Sequence, residues 1–266
     1  MGEVIVITSG KGGVGKTTTT ANLGVGLAML GKKVVLLDAD IGLRNLDVVM
    51  GLENRIVYDL VDVVEGRCRS KQALIRDKRY ENLFLLPAAQ TRDKNAVTPE
   101  QMKTLCEELK EEFDYIIVDC PAGIEQGFRN AIAGADRGLI VTTPEVSAVR
   151  DADRIIGLLE AAELRSPRLI INRLRPDMVK RGDMMDIDDI LEILAIDLIG
   201  VVPDDEKIIV STNRGEPVVA NENCSLSGQA YRNIVRRVIG EEVAFMELYN
   251  NRSFFSRIKK IMGLGG

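Results

Sequence analysis

Residues Gly10-Lys11-Gly12-Gly13-Val14-Gly15-Lys16-Thr17 fill every position of the G-x-x-x-x-G-K-[ST] pattern that binds polyphosphates. Four glycines in six residues let the backbone turn tightly, so that several N–H groups converge on one point. Lys16 supplies a cation for the outer phosphates, and the helix expected after Gly15 aims the positive end of its dipole at the same place. Gly12, Gly13, Val14, Gly15, Lys16, Thr17 and Thr18 are therefore the candidate phosphate contacts. Lys11 is the anomaly, because the generic loop has no use for a second lysine there.

Three aspartates are the next candidates. Asp38 and Asp40 close the run Val34-Val35-Leu36-Leu37, and Asp119 closes Tyr115-Ile116-Ile117-Val118. A carboxylate at the end of an apolar strand is costly to hold near a core unless a cation or donor compensates, and Mg²⁺ bound to a triphosphate supplies one. Asp38 also suits a helix cap at a strand-to-helix loop. Asn172, Pro203 and Asp204 follow two further apolar runs, where they suit either contact with a base or the forming of a turn.

The elements that must position these groups alternate. Continuous apolar runs at 4–8, 33–38, 83–87, 115–119, 138–142, 168–172 and 198–202 predict strands covered on both faces. Helical patterns at 17–30, 99–112, 147–162 and 187–194 lie between them. The fold class is thus α/β, a mainly parallel twisted sheet with helices on both faces, and its ligands belong at the carboxyl ends of the strands. No linker-like stretch divides residues 1–250, which read as one nucleotide-binding domain followed by a tail at 251–266.

Composition closes off other chemistry. The 266 residues contain no histidine, which excludes His-based triads, His metal ligands and imidazole switching. Cys68, Cys106, Cys120 and Cys224 have no C-x-x-C spacing and read as reduced thiols. Net charge is −5 and aromatics make up 4% with no Trp, so no specific nucleic-acid partner is expected. The N-terminus lacks the pattern of a secretory leader.

In the tail, Phe254, Phe255, Ile258, Ile261 and Met262 share one sector of a helical wheel, with Arg257, Lys259 and Lys260 outside it. The pattern predicts a helix lying on an anionic membrane surface, too short to span one.

The string Lys-Gly-Gly-Val-Gly-Lys-Thr-Thr, with 38–47 and 119–123, resembles the MinD/ParA family of deviant Walker A ATPases. The resemblance implies ATP and Mg²⁺ as cofactors, with Thr17, Asp119 and Asp38 as metal candidates and Asp119 as the Walker B carboxylate. It implies Lys11, Lys16 and Asp40 as catalytic residues: Asp40 orients the attacking water, and Lys11 reaches the nucleotide of a partner subunit in an ATP-dependent homodimer. For the base it raises Asn172, Pro203 and Asp204. It implies MinC-like inhibitor and MinE-like activator partners, docking near 146–153. The location it implies is cytoplasmic, peripheral on the inner face of the cell membrane or of the equivalent plastid membrane. A ParA-type DNA-partitioning ATPase is the alternative in the same family.

Overall fold

The computed structural model describes residues 2–93, 95–164, 166–221 and 225–249. In chain order the first half holds β1 (Glu3–Thr8), α1 (Lys16–Met29), β2 (Val34–Asp38), α2 (Leu46–Met50), α3 (Leu60–Val64), α4 (Ser70–Ala73), β3 (Ile75–Arg76), β4 (Leu83–Leu86), α5 (Pro99–Lys110) and β5 (Tyr115–Asp119). The second half holds α6 (Gln126–Ile132), β6 (Arg137–Thr142), α7 (Val146–Ala161), β7 (Arg168–Leu174), α8 (Pro176–Arg181), α9 (Ile187–Leu194), β8 (Asp197–Pro203), α10 (Glu206–Asn213) and α11 (Leu226–Val238).

One sheet of eight strands runs in the order β3-β4-β2-β5-β1-β6-β7-β8. Every neighbouring pair is parallel except β3 with β4. Alternate residues of each strand enter different cores, as the period of two requires. On β1, Val4 and Val6 join a core built with α5, α6, α7 and α9, while Ile5 and Ile7 join one built with α1, α2 and α11. Burial on both faces explains why the central strands are apolar throughout rather than alternating.

Helix α1 lies between the sheet and α11, so it is buried almost all round and carries no polar stripe. A Cβ on Gly26 would come within 2.6 Å of Val235 Cγ2, so only glycine lets α11 cover α1 this closely.

The seven expected strands are all present. β7 runs two residues past the expected end at Asn172, to Leu174, and β8 takes in Pro203, so both residues lie within strands. β3 has two residues, too few for any periodicity to reveal. α11 is not among the expected helices, although Ala230, Tyr231, Ile234, Val235 and Val238 repeat at helical spacing and are buried.

Beyond α11, residues 241–249 wrap the open edge at β8 without regular structure. Arg237 clasps this strap. Its guanidinium donates to the carbonyls of Val243 at 3.0 Å, Ala244 at 2.8 Å and Ile199 at 2.9 Å, and stacks 4.0 Å above the Phe245 ring. Met246 packs on one core, whereas Phe245, Leu248 and Tyr249 pack on the other.

Candidate nucleotide site

The candidate residues converge at the carboxyl ends of β1, β2, β5, β7 and β8. After β1 the loop turns through Gly13 at φ 78° and Gly15 at φ 100°, left-handed conformations that favour glycine. Gly15 precedes a fourteen-residue helix whose N-terminus no described side chain caps and whose first turn holds no acid. The backbone N–H groups and the dipole of α1 therefore face an anion site. Lys16 is 8% exposed; its ammonium donates to Ser9 Oγ at 2.9 Å, and the Ser9 hydroxyl donates to the Lys11 carbonyl at 2.7 Å.

Asp119 lies under the start of α1, 2% exposed. Burial pushes its carboxyl up to about 6, opposed by hydrogen bonds from the hydroxyls of Thr17 and Thr20 and by the charge of Lys16. The Thr20 hydroxyl donates to Asp119 at 3.2 Å. Asp38, its register partner on β2, is also buried and is pushed well above the usual carboxylate range by burial and by the Asp119 charge.

The Asp38 carboxylate is spent on backbone. It accepts from Asp40 N at 3.0 Å and Leu46 N at 3.3 Å, bridging the two ends of the loop that presents Asp40. Thr17 and Asp119 offer hard oxygen donors beside the phosphate cradle, which fits Mg²⁺. Among the described residues no group of three Asp, Glu, Cys or His side chains could hold a metal by itself, so Thr17 and Asp119 would hold Mg²⁺ only together with a bound polyphosphate.

Asn172 braces the loop from below: its amide donates to the Val14 carbonyl at 2.8 Å and its oxygen accepts from Arg173 N at 2.9 Å. A Cβ on Gly15 would overlap the Asn172 amide. Pro203 lies beside Leu174 in the β7–β8 register, and Asp204 N donates to the Leu174 carbonyl at 2.9 Å. Pro203 is buried and Asp204 exposed at the same rim. Lys11 points away from its own cradle to the start of α7, where its ammonium donates to Ser147 Oγ at 3.1 Å and lies 3.5 Å from Glu145. That ion pair is exposed on both sides and contributes little.

Sequence reasoning missed Ser9 and Thr20. Thr20 was within reach, since it sits one helical turn beyond Lys16 and shares its face. Ser9 gave no signal. The tail residues Phe254, Phe255, Arg257, Ile258, Lys259, Lys260, Ile261 and Met262 lie outside the described residues.

A parallel sheet with a glycine-rich loop between its first strand and a helix, and a carboxylate at the end of β5, defines a P-loop nucleoside triphosphatase. Residues 5–218 match the CobQ/CobB/MinD/ParA nucleotide binding domain. The septum site-determining protein MinD of Bacillus subtilis (strain 168) is 61% identical over 267 residues, 99% of each chain. A solved MinC:MinD cell division protein complex of Aquifex aeolicus contains a chain 52% identical, with a TM-score of 0.86 over 93% of this chain and 100% of that one. MinD of Pyrococcus horikoshii OT3, solved with Mg-ADP, is 30% identical with a TM-score of 0.82 over 90% and 96%. The chain belongs to the MinD/ParA family of nucleotide-binding proteins, on its MinD branch.

Proposed function

We propose that this chain is an ATPase that dimerises on binding ATP and hydrolyses it to ADP and phosphate in the dimer. It then attaches to the inner membrane surface and positions the division site by recruiting a MinC-like septation inhibitor. Residues 1–250 form the ATPase domain, and residues 251–266 form the membrane-targeting tail. One observation carries the dimer: Lys11 projects from the phosphate loop yet turns away from its own cradle, onto a weak surface partner it can exchange for a second subunit's nucleotide. The uncapped start of α1, Lys16 and the Thr17–Asp119 pair support Mg-ATP as the ligand.

Each residue then has a task. Backbone N–H groups from Gly12 to Thr18 hold the phosphates, and Lys16 leaves Ser9 for the outer ones. Thr17 and Asp119 hold Mg²⁺, which when bound neutralises charge on the β- and γ-phosphates. Asp40 orients water for attack, and Lys11 of the partner subunit offsets charge that develops on transfer. Asn172, by bracing the loop, and Pro203 and Asp204, at the adjoining rim, border the base. Asp38 acts through the loop it bridges.

The Aquifex relative is solved in complex with MinC, which supports a MinC-like partner here. A MinE-like activator follows from the family alone. Among the described residues no helix is long and apolar enough to cross a membrane; the apolar and basic pattern of 254–262 is what supports attachment through the tail. Light scattering of the full chain tests the dimer. A mass near twice 29.3 kDa is expected with Mg-ATP and near 29.3 kDa with Mg-ADP. A monomer in both states at micromolar protein contradicts it.

A further inference from the structure

The loop between β2 and α2 carries Asp40, and its backbone is pinned at both ends. Asp40 N donates to Asp38, and the Asp40 carbonyl accepts from Leu43 N and Arg44 N, each at 3.2 Å. Gly42 N donates to the Ala89 carbonyl at 2.9 Å, anchoring the turn to the strand end beside it. Arg44 ends the turn at φ 46°, a left-handed conformation that a branched-off side chain rarely adopts without compensation.

The compensation is visible. Arg44 Nε lies 3.0 Å from Asp47 on α2, with the Asp47 carboxylate 1% exposed and the Arg44 side chain 20%. The contact is a charge pairing rather than a hydrogen bond: burial pushes the Asp47 carboxyl upward and the Arg44 charge opposes that, and removing one member of a buried pair costs far more than removing one of an exposed pair. None of the residues proposed above to contact the nucleotide is Arg44 or Asp47, so that site does not explain this pair.

We infer that Arg44 is a positioning residue for hydrolysis: latched by the buried Asp47, it holds the turn that fixes Asp40 over the attacking water. The inference rests on the role proposed above for Asp40. A shift of about 1 Å in a positioned group can cost a reaction up to about a hundredfold, so a loosened turn acts on turnover rather than on nucleotide affinity.

The test compares four variants of the full chain: Asp40→Ala, Arg44→Ala, Arg44→Gly and Asp40→Ala/Arg44→Ala. Phosphate release is measured at saturating Mg-ATP, affinity by calorimetry and dimerisation by light scattering. Arg44→Ala is expected to lower kcat at least tenfold with ATP affinity within about twofold and the ATP dimer intact. Arg44→Gly accepts the left-handed backbone without strain, so it separates loss of the latch from backbone strain; with its ATP dimer intact as the check on folding, kcat is expected to fall similarly. The double variant is expected to be no slower than Asp40→Ala alone, because both substitutions disable one device.

If Asp40→Ala itself turns over normally, the Asp40 reading fails and takes this inference with it. If Asp40→Ala is slow but both Arg44 variants turn over within twofold of the parent, Arg44 has no positioning role. Fully additive losses in the double variant, or a loss confined to KM, overturn the inference as well.

Discussion

At the scale of single residues, the two lysines of the phosphate loop divide by where their side chains end. Lys16 is buried against Ser9 beside its own cradle, whereas Lys11 is exposed against α7. Lys16→Ala is therefore expected to weaken ATP binding by a hundredfold or more in calorimetry. Lys11→Ala is expected to leave affinity within about threefold and abolish the ATP dimer and hydrolysis. Equal losses of affinity contradict the division.

Asp119 makes a second prediction at this scale, through pH. Burial pushes its native carboxyl up to about 6, above the roughly 4 of an unfolded chain. Between those values the native state holds a proton that the unfolded state has lost, so stability falls as pH rises from about 4 to 6 and stays lower above. Asp38 is shifted in the same direction. Nucleotide-free Asp119→Asn is expected to melt several degrees above the parent at pH 7.5 and to match it near pH 3.5. Equal margins at both pH values contradict the assignment. With ATP present, the parent's apparent Mg²⁺ affinity is expected to weaken up to about tenfold per pH unit below 6, because the metal and the proton compete.

Elements decide whether those residues meet. The left-handed Gly15 and the amide of Asn172 interlock across the loop, so Gly15→Ala combines backbone strain with a clash. It is expected to cost about 2–4 kcal/mol of stability and to remove ATP binding, read by urea unfolding and calorimetry. Unchanged affinity would show that the loop tolerates another shape.

The strap at β8 offers an independent check on the fold. Arg237→Ala removes three donors and the stack on Phe245, with an expected cost of about 2 kcal/mol or more and faster amide exchange through 241–249. Unaltered exchange in that stretch would mean packing of Phe245, Leu248 and Tyr249 suffices.

Much of this was legible from sequence, for a physical reason. A parallel strand buried on both faces must be apolar throughout, so each of its polar ends stands out; Asp38, Asp119 and the phosphate loop announce themselves that way. What stayed hidden depends on partners distant in the chain. Asn172 reads equally as a turn former or a base contact until Val14, 158 positions away, is seen to accept its amide. Ser9 becomes a lysine acceptor only once the loop has folded back over β1. The latch between Arg44 and Asp47 sits three residues apart, an ordinary helical spacing, and nothing in sequence tells that Asp47 is buried.

For the whole molecule, ATP binding, self-association and membrane attachment form one coupled equilibrium in this account. On the proposed reading the tail's apolar pattern spans the nine positions 254–262, fewer than the ~12–15 at which isolated helices become stable in water, so a single tail is taken as a marginal anchor. Two tails joined through the ATP dimer gain roughly 10²–10⁴ in avidity without any new contact. Hydrolysis separates the subunits and loses that gain. Phe255→Asp or Ile258→Glu is accordingly expected to abolish attachment with basal ATPase intact.

The central claim is this switch, and sedimentation of the full chain with anionic liposomes tests it most directly. At matched protein concentration with Mg-ATP, Mg-ADP or no nucleotide, the account predicts at least tenfold tighter binding with ATP than in either other state. Equally tight binding with ADP and ATP would contradict it.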